Sequence, residues 1–198
     1  YNQTRVDYVV PMPMNTDRLR QYVHNYDVDI GHSVVAMVED RILGLGMLGV
    51  RPGRAWITRL GILPVKRRRG SGEMLMKYLI RQAQQLKVDY IILEVIKGNK
   101  PAHRLFSKVG FEETRDLLVL RRPPGPPAIE APPYKVETLN YHQAMALLRQ
   151  RQGAPSWLDE TASLENAGNL AALRVELKSG GRGWLVYQNT AYQLGRLV

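Results

Sequence analysis

Apolar positions along the chain change their spacing several times, and each change of period marks a new element. Alternation predicts a short strand near Val6–Val10, and Asn15 or Thr16 caps a helix that runs to about Val23. Two further alternating runs, His32–Glu39 and Ile42–Val50, flank the turn Asp40-Arg41 and predict a hairpin. A second turn at Pro52-Gly53 leads into a third antiparallel strand, Ala55–Pro64. From Ser71 the period becomes helical, with Met74, Leu75, Tyr78, Leu79, Ala83 and Leu86 on one buried face. The run Tyr90–Val95 is apolar apart from Glu94, the pattern of a strand covered on both faces. Asn99 then caps a helix whose residues Ala102, Leu105, Phe106 and Val109 share a face; Gly110 stops it, and Leu117–Leu120 predicts a closing strand.

The stretch Arg121–Pro133 has six prolines and a glycine, which remove backbone donors and forbid helix or central strand. It divides the chain into a first domain, residues 1–122, a Pro-rich linker, 123–133, and a smaller segment, 134–198. In the last of these YKVETLN reads as a strand, HQAMALLRQ as a helix, and the residues around Gly180-Gly181 as a pair of strands. That order repeats the opening of the first domain, so an incomplete second copy of the same fold is expected. The fold class is α/β in the α+β sense: a mixed, mostly antiparallel central sheet flanked by helices, with a smaller second α/β segment.

Composition narrows the function classes. A chain of 198 residues, 44% of them apolar, has enough material for a core, and no apolar run approaches the length of a membrane helix. The first residue is Tyr, so a trimmed chain is expected; its opening lacks the order of a signal peptide, and a cytoplasmic location is expected. Without cysteine there is no thiol nucleophile or thiolate metal site, and His24, His32, His103 and His142 show no metal-ligand spacing, so no metal is expected. The net charge of +10 is uneven: residues 1–122 hold 21 Lys and Arg against 12 Asp and Glu, residues 123–198 hold 7 against 6. Such a field attracts polyanions, nucleic acid and phosphorylated cofactors alike.

The cations concentrate where a strand ends and a helix begins. Arg67, Arg68, Arg69, Gly70, Ser71 and Gly72 bring several backbone N–H groups to one helix N-terminus, whose positive dipole end and glycines suit a phosphate. A solvated basic run ahead of a helix would look similar, and only the strand before and helix after favour a functional loop. This loop matches neither GxGxxG nor GxxxxGK[ST], which disfavours a dinucleotide or ordinary P-loop site here. The spacing that remains is R-x-x-G-x-G.

With that loop in view, residues 55–111 resemble the GNAT superfamily of acyl-CoA N-acyltransferases. LGILPVKRRRGSG, Leu60 to Gly72, is similar to the family's strand and pyrophosphate loop, and LEVIKGNKPAHRLFSKVGF, Leu93 to Phe111, to its second signature. The resemblance implies acetyl-CoA as cofactor, its diphosphate on the amides of Arg68 to Gly72 with Arg67 as leading cation. It implies that the pantetheine arm fills a wedge between two splayed strands and bonds the backbone of Leu60, Gly61 and Ile62 like an added strand. Asn99 matches a cofactor-contacting asparagine, although an N-cap role alone would also place it there; Ala102 and Phe106 would line the thiol end.

The resemblance also supplies candidates for chemistry. Glu94 occupies the place of a glutamate general base, and a carboxylate enclosed in an apolar strand suits that task; the plain alternative is an ion pair with Arg59 or another strand cation. Phe106 departs from the family's frequent tyrosine, the acid that protonates the leaving thiolate, because a phenyl ring has no proton to give. Tyr78, Tyr90 and Ser107 are unranked replacements. The function implied is an acetyl-CoA-dependent N-acetyltransferase acting on a small-molecule or peptide amine. A catalytically weak acyl-CoA-binding module is the alternative, and nucleic-acid binding is disfavoured because few aromatics accompany the cations. Asp27 and Asp29 either attract a cationic amine or are solvated loop charges, and a homo-oligomer stays open.

Overall fold

Alternation of side chains, turn chemistry and helical periodicity act locally, and they set most of the architecture. The computed structural model describes residues 1–8, 10, 12–67, 69–120, 125–126, 134–177, 179–190 and 194–198. The chain divides into two units, Tyr1–Thr114 and Arg115–Val198.

In the first unit Asn15 accepts from Arg18 N and caps helix α1, Thr16–Asn25. Strands β1, Val28–Val38, and β2, Arg41–Arg51, form the expected hairpin, with Glu39 and Asp40 in its turn, one residue earlier than the sequence suggested. Glu39 takes the left-handed conformation there, φ 51°. Pro52 and Gly53, φ 74°, make the next turn, and β3 follows at Arg54–Ile62. Helix α2, Ser71–Gln85, crosses back to β4, Tyr90–Leu93, which pairs parallel to β3; α3 is Lys100–Lys108. The sheet order is β1-β2-β3-β4.

One sheet face packs on α2, burying Leu48, Ala55 and Ile57 against Met76, Leu79 and Ala83. The helix is rotated slightly from the expected stripe: Met76 is buried and Met74 is exposed. On the other face Trp56 meets Tyr22 of α1 and Tyr26 just after it, and the Tyr22 hydroxyl lies 2.6 Å from Thr58 Oγ1. Burial pushes the Tyr22 phenol up to about 12 even with the Arg59 guanidinium 4.1 Å from its ring centroid.

Three expectations about strands need correction. Near Val6–Val10, where Val9 lies outside the described residues, the chain makes a 3₁₀ turn at Asn2–Thr4 and then a bend, with Val6 exposed. The local bonds Thr4 N to Tyr1 O and Arg5 N to Asn2 O close that turn, so alternation alone did not win a place in the sheet. Strand β4 stops at Leu93, short of Val95, and its residues are half-buried or exposed because, among the described residues, β3 is its only sheet neighbour. Leu117–Leu120 is not a strand, and Val119 is 95% exposed. No described strand supplies the hydrogen bonds that an isolated apolar run needs.

The second unit carries the antiparallel sheet β5-β6-β7-β8: β5, Val136–Leu139; β6, Leu170–Glu176; β7, Arg182–Asn189; and β8, Leu194–Gly195. Helix α4, Tyr141–Gln150, starts with a reciprocal capping box between Asn140 and Gln143, and α5 is Thr161–Ala167. Leu139, Met145, Leu148, Leu164 and Val186 form its core. The linker residues 123, 124 and 127–133 lie outside the described residues.

Candidate active site

The site begins with a defect in β3. Thr58 pairs with Met47 and Gly61 with Leu45, so Arg59 and Leu60 together oppose the single residue Gly46. Arg59 takes φ 53° to make this bulge, and a Cβ on Gly46 would stand 2.7 Å from Leu79 Cδ1, so the bulge and glycine fit together. Strand β4 pairs with β3 only from Arg54 to Ile57. Beyond that point the two strands separate, and among the described residues Thr58, Gly61 and Ile62 pair with β2 alone.

Alternation fixes which groups of this segment are available. Leu63 N donates to Leu43 O, so in this antiparallel ladder Gly61 also faces β2 and the carbonyls of Leu60 and Ile62 face the separation. Both carbonyls accept from guanidiniums of the same chain, Leu60 O from Arg5 Nη2 at 2.9 Å and Ile62 O from Arg67 Nε at 3.1 Å. A Cβ at Gly61 would collide with Thr4, itself buried.

From Ile62 the chain passes through a 3₁₀ turn, Pro64–Lys66, to the cationic loop. Arg68 lies outside the described residues, Arg69 is exposed, and Gly70, φ 81°, leads into α2 with no side chain capping the helix. A left-handed glycine before an uncapped first turn leaves amides of the Ser71, Gly72 and Glu73 turn directed at the loop. Open space surrounds the missing Cβ of Gly70, whereas one at Gly72 would lie 3.3 Å from Leu105 Cδ2. These groups fit an anion such as a diphosphate. Arg67 Nη2 bonds Thr4 O at 3.1 Å, and Asp7 receives both of its terminal nitrogens, which holds that carboxyl below its usual range.

On the far side of the separation, Asn99 Oδ1 accepts from Ala102 N at 3.4 Å and caps α3. Its Nδ2 is a different atom, so the cap does not use up the side chain. Ala102 and Phe106 are half-buried, and the Phe106 ring meets Phe111 edge-on at 6.4 Å. Glu94 directly follows Leu93, the last residue paired with β3, and is exposed instead of enclosed within the strand. Arg59, the suggested ion-pair partner of Glu94, donates to the Tyr1 hydroxyl and stacks on Tyr1 and Tyr22. Asp27 receives Arg51 Nε at 2.7 Å and Asp29 holds His32 Nδ1 at 2.8 Å, so both carboxylates serve the fold.

A groove of about 850 Å³ runs along α2 from Gly70 past Lys77 and Arg81 to the end of α3 at Lys108. Glu73 links its walls, bonding Lys108 at 2.6 Å and Lys77 at 2.9 Å, and these bonds lower its carboxyl to about 2. Among the described residues no group of His, Asp and Glu could hold a metal, and no helix is long and apolar enough to cross a membrane.

The model of the acetyltransferase (GNAT) family matches residues 4–111, more than half of the chain. The chain belongs to this family. Its GNAT region therefore includes the bulged strand, the loop, α2 and α3. Among solved structures, a transcriptional regulator from Bacillus halodurans is 19% identical with a TM-score of 0.49, covering 61% of this chain and 89% of its own. The ribosomal-protein-S18-alanine N-acetyltransferase of Escherichia coli is 18% identical with a TM-score of 0.41, covering 52% and 77%. Aminoglycoside 6'-N-acetyltransferase AAC(6')-IG of Acinetobacter haemolyticus is 15% identical with a TM-score of 0.40, covering 58% and 98%. Likeness at this level says nothing of chemistry. A comparison with curated protein sequences finds no match. The GNAT residues that the sequence did not bring forward are Thr4, Arg5 and Asp7, because no spacing rule ties residue 5 to a carbonyl 55 positions later.

Proposed function

We propose that the chain is an acetyl-CoA-dependent N-acetyltransferase that acetylates a primary amine by direct attack. The observation that carries this reading is the free edge of β3 running straight into the uncapped start of α2. The carbonyls of Leu60 and Ile62 would bond the pantetheine arm, whereas the backbone groups of Gly61, expected to share that role, face β2; Arg67, Arg68, Arg69, Gly70, Ser71 and Gly72 would hold the diphosphate. Asn99 Nδ2 would donate to the arm, with Ala102 and Phe106 at its thiol end. The bound cosubstrate supplies an activated acetyl thioester.

Glu94 is the proposed base: placed where the strands part and exposed to an incoming ammonium group, it would take the proton that makes the acceptor nucleophilic. Glu94→Gln is expected to lower kcat at least about 100-fold, within the usual range for removal of a general base, while coenzyme A affinity stays unchanged. The measurement is steady-state transfer across a panel of small amines and peptide N-termini, with calorimetric titration of coenzyme A; equal kcat in the two proteins would remove Glu94 from the mechanism. The acceptor proposed is a small-molecule or peptide amine, the location the cytoplasm, and residues 134–198 an incomplete second copy of the fold.

A second reading, a weak or inactive acyl-CoA-binding module, draws on Phe106. Its ring has no proton for a departing thiolate and packs against Phe111. If this loss limits turnover, Phe106→Tyr should raise kcat at least about tenfold at unchanged coenzyme A affinity, a modest part of what an acid contributes. Equal rates would count against the module reading.

A further inference from the structure

The N-terminal segment lies on the same edge of β3 that the cosubstrate would use, an inference that rests on the proposed acetyl-CoA site. Arg5 Nη2 occupies Leu60 O, and Thr4 is buried against the bare face of Gly61. Arg67, the cation expected to lead the diphosphate loop, spends its three nitrogens on Ile62 O, Thr4 O and the Asp7 carboxylate. The segment is fastened elsewhere too. Tyr8 stacks on the Arg5 guanidinium at 4.2 Å, the Tyr1 hydroxyl accepts from Arg59, and Asn2 and Met14 exchange bonds at 2.8 and 2.9 Å.

Two of these contacts, Arg5 on Leu60 O and Arg67 on Asp7, copy ones that a cosubstrate needs. A guanidinium donates to the free carbonyl where a pantetheine amide would donate, and a carboxylate holds the arginine where a phosphate would. The Arg67–Asp7 pair is partly exposed, with side chains 39% and 51% accessible. The pair is two-pronged, and at this exposure water screens it, which limits the cost of replacing the carboxylate with another anion. Tight burial is confined to Thr4, which can stay close only because residue 61 has no Cβ.

We propose that Tyr1–Asp7 is an intramolecular competitor for acetyl-CoA: it covers the free edge of β3 and keeps Arg67 on Asp7, and it withdraws when the cosubstrate docks. Arg67 then exchanges one anion for another. The competent fraction of the protein sets the apparent affinity, so a segment docked nine-tenths of the time weakens binding about tenfold.

The test titrates coenzyme A calorimetrically into the full chain, Asp7→Ala and the double variant Arg5→Ala/Asp7→Ala, each checked for folding by circular dichroism. Stepwise tightening, to about tenfold in the double variant, is expected. Hydrogen exchange in the unaltered protein gives an independent reading, because the Thr4 and Arg5 amides are bonded inside the turn. Their exchange should quicken when coenzyme A is added. Unchanged or weaker affinity in the variants, or slower exchange at Thr4 and Arg5 with ligand, would overturn the competitor. Absence of coenzyme A binding from all three proteins would instead sink the cosubstrate site itself.

Discussion

Gly72→Asp is expected to weaken coenzyme A binding at least about 100-fold, about 2.7 kcal/mol, without unfolding the protein. Two effects of opposite sign separate binding from stability. An aspartate in the first turn of α2 meets the positive end of the helix dipole, which stabilises a helix by about 0.3–1 kcal/mol. The Leu105 methyl that a new Cβ would approach to 3.3 Å is the end of a flexible side chain and can move. The same carboxylate would stand in the first turn, next to the amides that a diphosphate would use, so repulsion and a lost close backbone approach act together on the ligand. Gly72→Ala, which adds the Cβ without the charge, should fall between the two. Calorimetry and a thermal melt on the same samples decide: full coenzyme A affinity in Gly72→Asp would place the anion elsewhere.

The largest stability effect is expected from Leu79→Ala. Leu79 is fully buried between α2 and the sheet, beside Leu48 and Met76, and its Cδ1 fills the space that Gly46 leaves open under the bulge. Truncation leaves a cavity that a β-sheet cannot close by moving, so the cost should be about 2–5 kcal/mol. Urea unfolding measures it as a lower midpoint at unchanged slope. A loss below about 1 kcal/mol would mean that the helix settles into the gap, and β3 would then lose the support that keeps its edge open.

What the sequence made legible follows from distance along the chain. The strand, loop and helix from Leu60 to Gly72 could be read because glycine spacing, arginines and helical periodicity all lie within thirteen residues. The cap by Asn99 and the turn at Pro52-Gly53 were legible for the same reason. Long-range competition was not. Val6–Val10 alternates like a strand, yet side-chain contacts of Arg5 and Asp7 with residues 60 and 67 accompany a turn there. Leu117–Leu120 has strand composition, and no pattern within four residues can say whether a partner edge exists. Trp157 and α5 gave no periodic signal: Trp157 is fully buried from a three-residue 3₁₀ turn, held by Ser163 Oγ donating to its carbonyl, and α5 is only seven residues long.

The extra residue at Arg59 also inverts the phase of the strand. Before it, odd-numbered positions, Ala55 and Ile57, look toward α2; after it, even-numbered positions, Leu60 and Ile62, do so. The same nine residues paired without a bulge would carry their parity through unchanged, turning Gly61 inward to the oily side and leaving two aliphatic side chains on the face that meets α1. The bulge thus acts as a frameshift in side-chain orientation, and it lets one nine-residue strand keep aliphatic side chains inward at both ends while Gly61 leaves room for Thr4 on the opposite face.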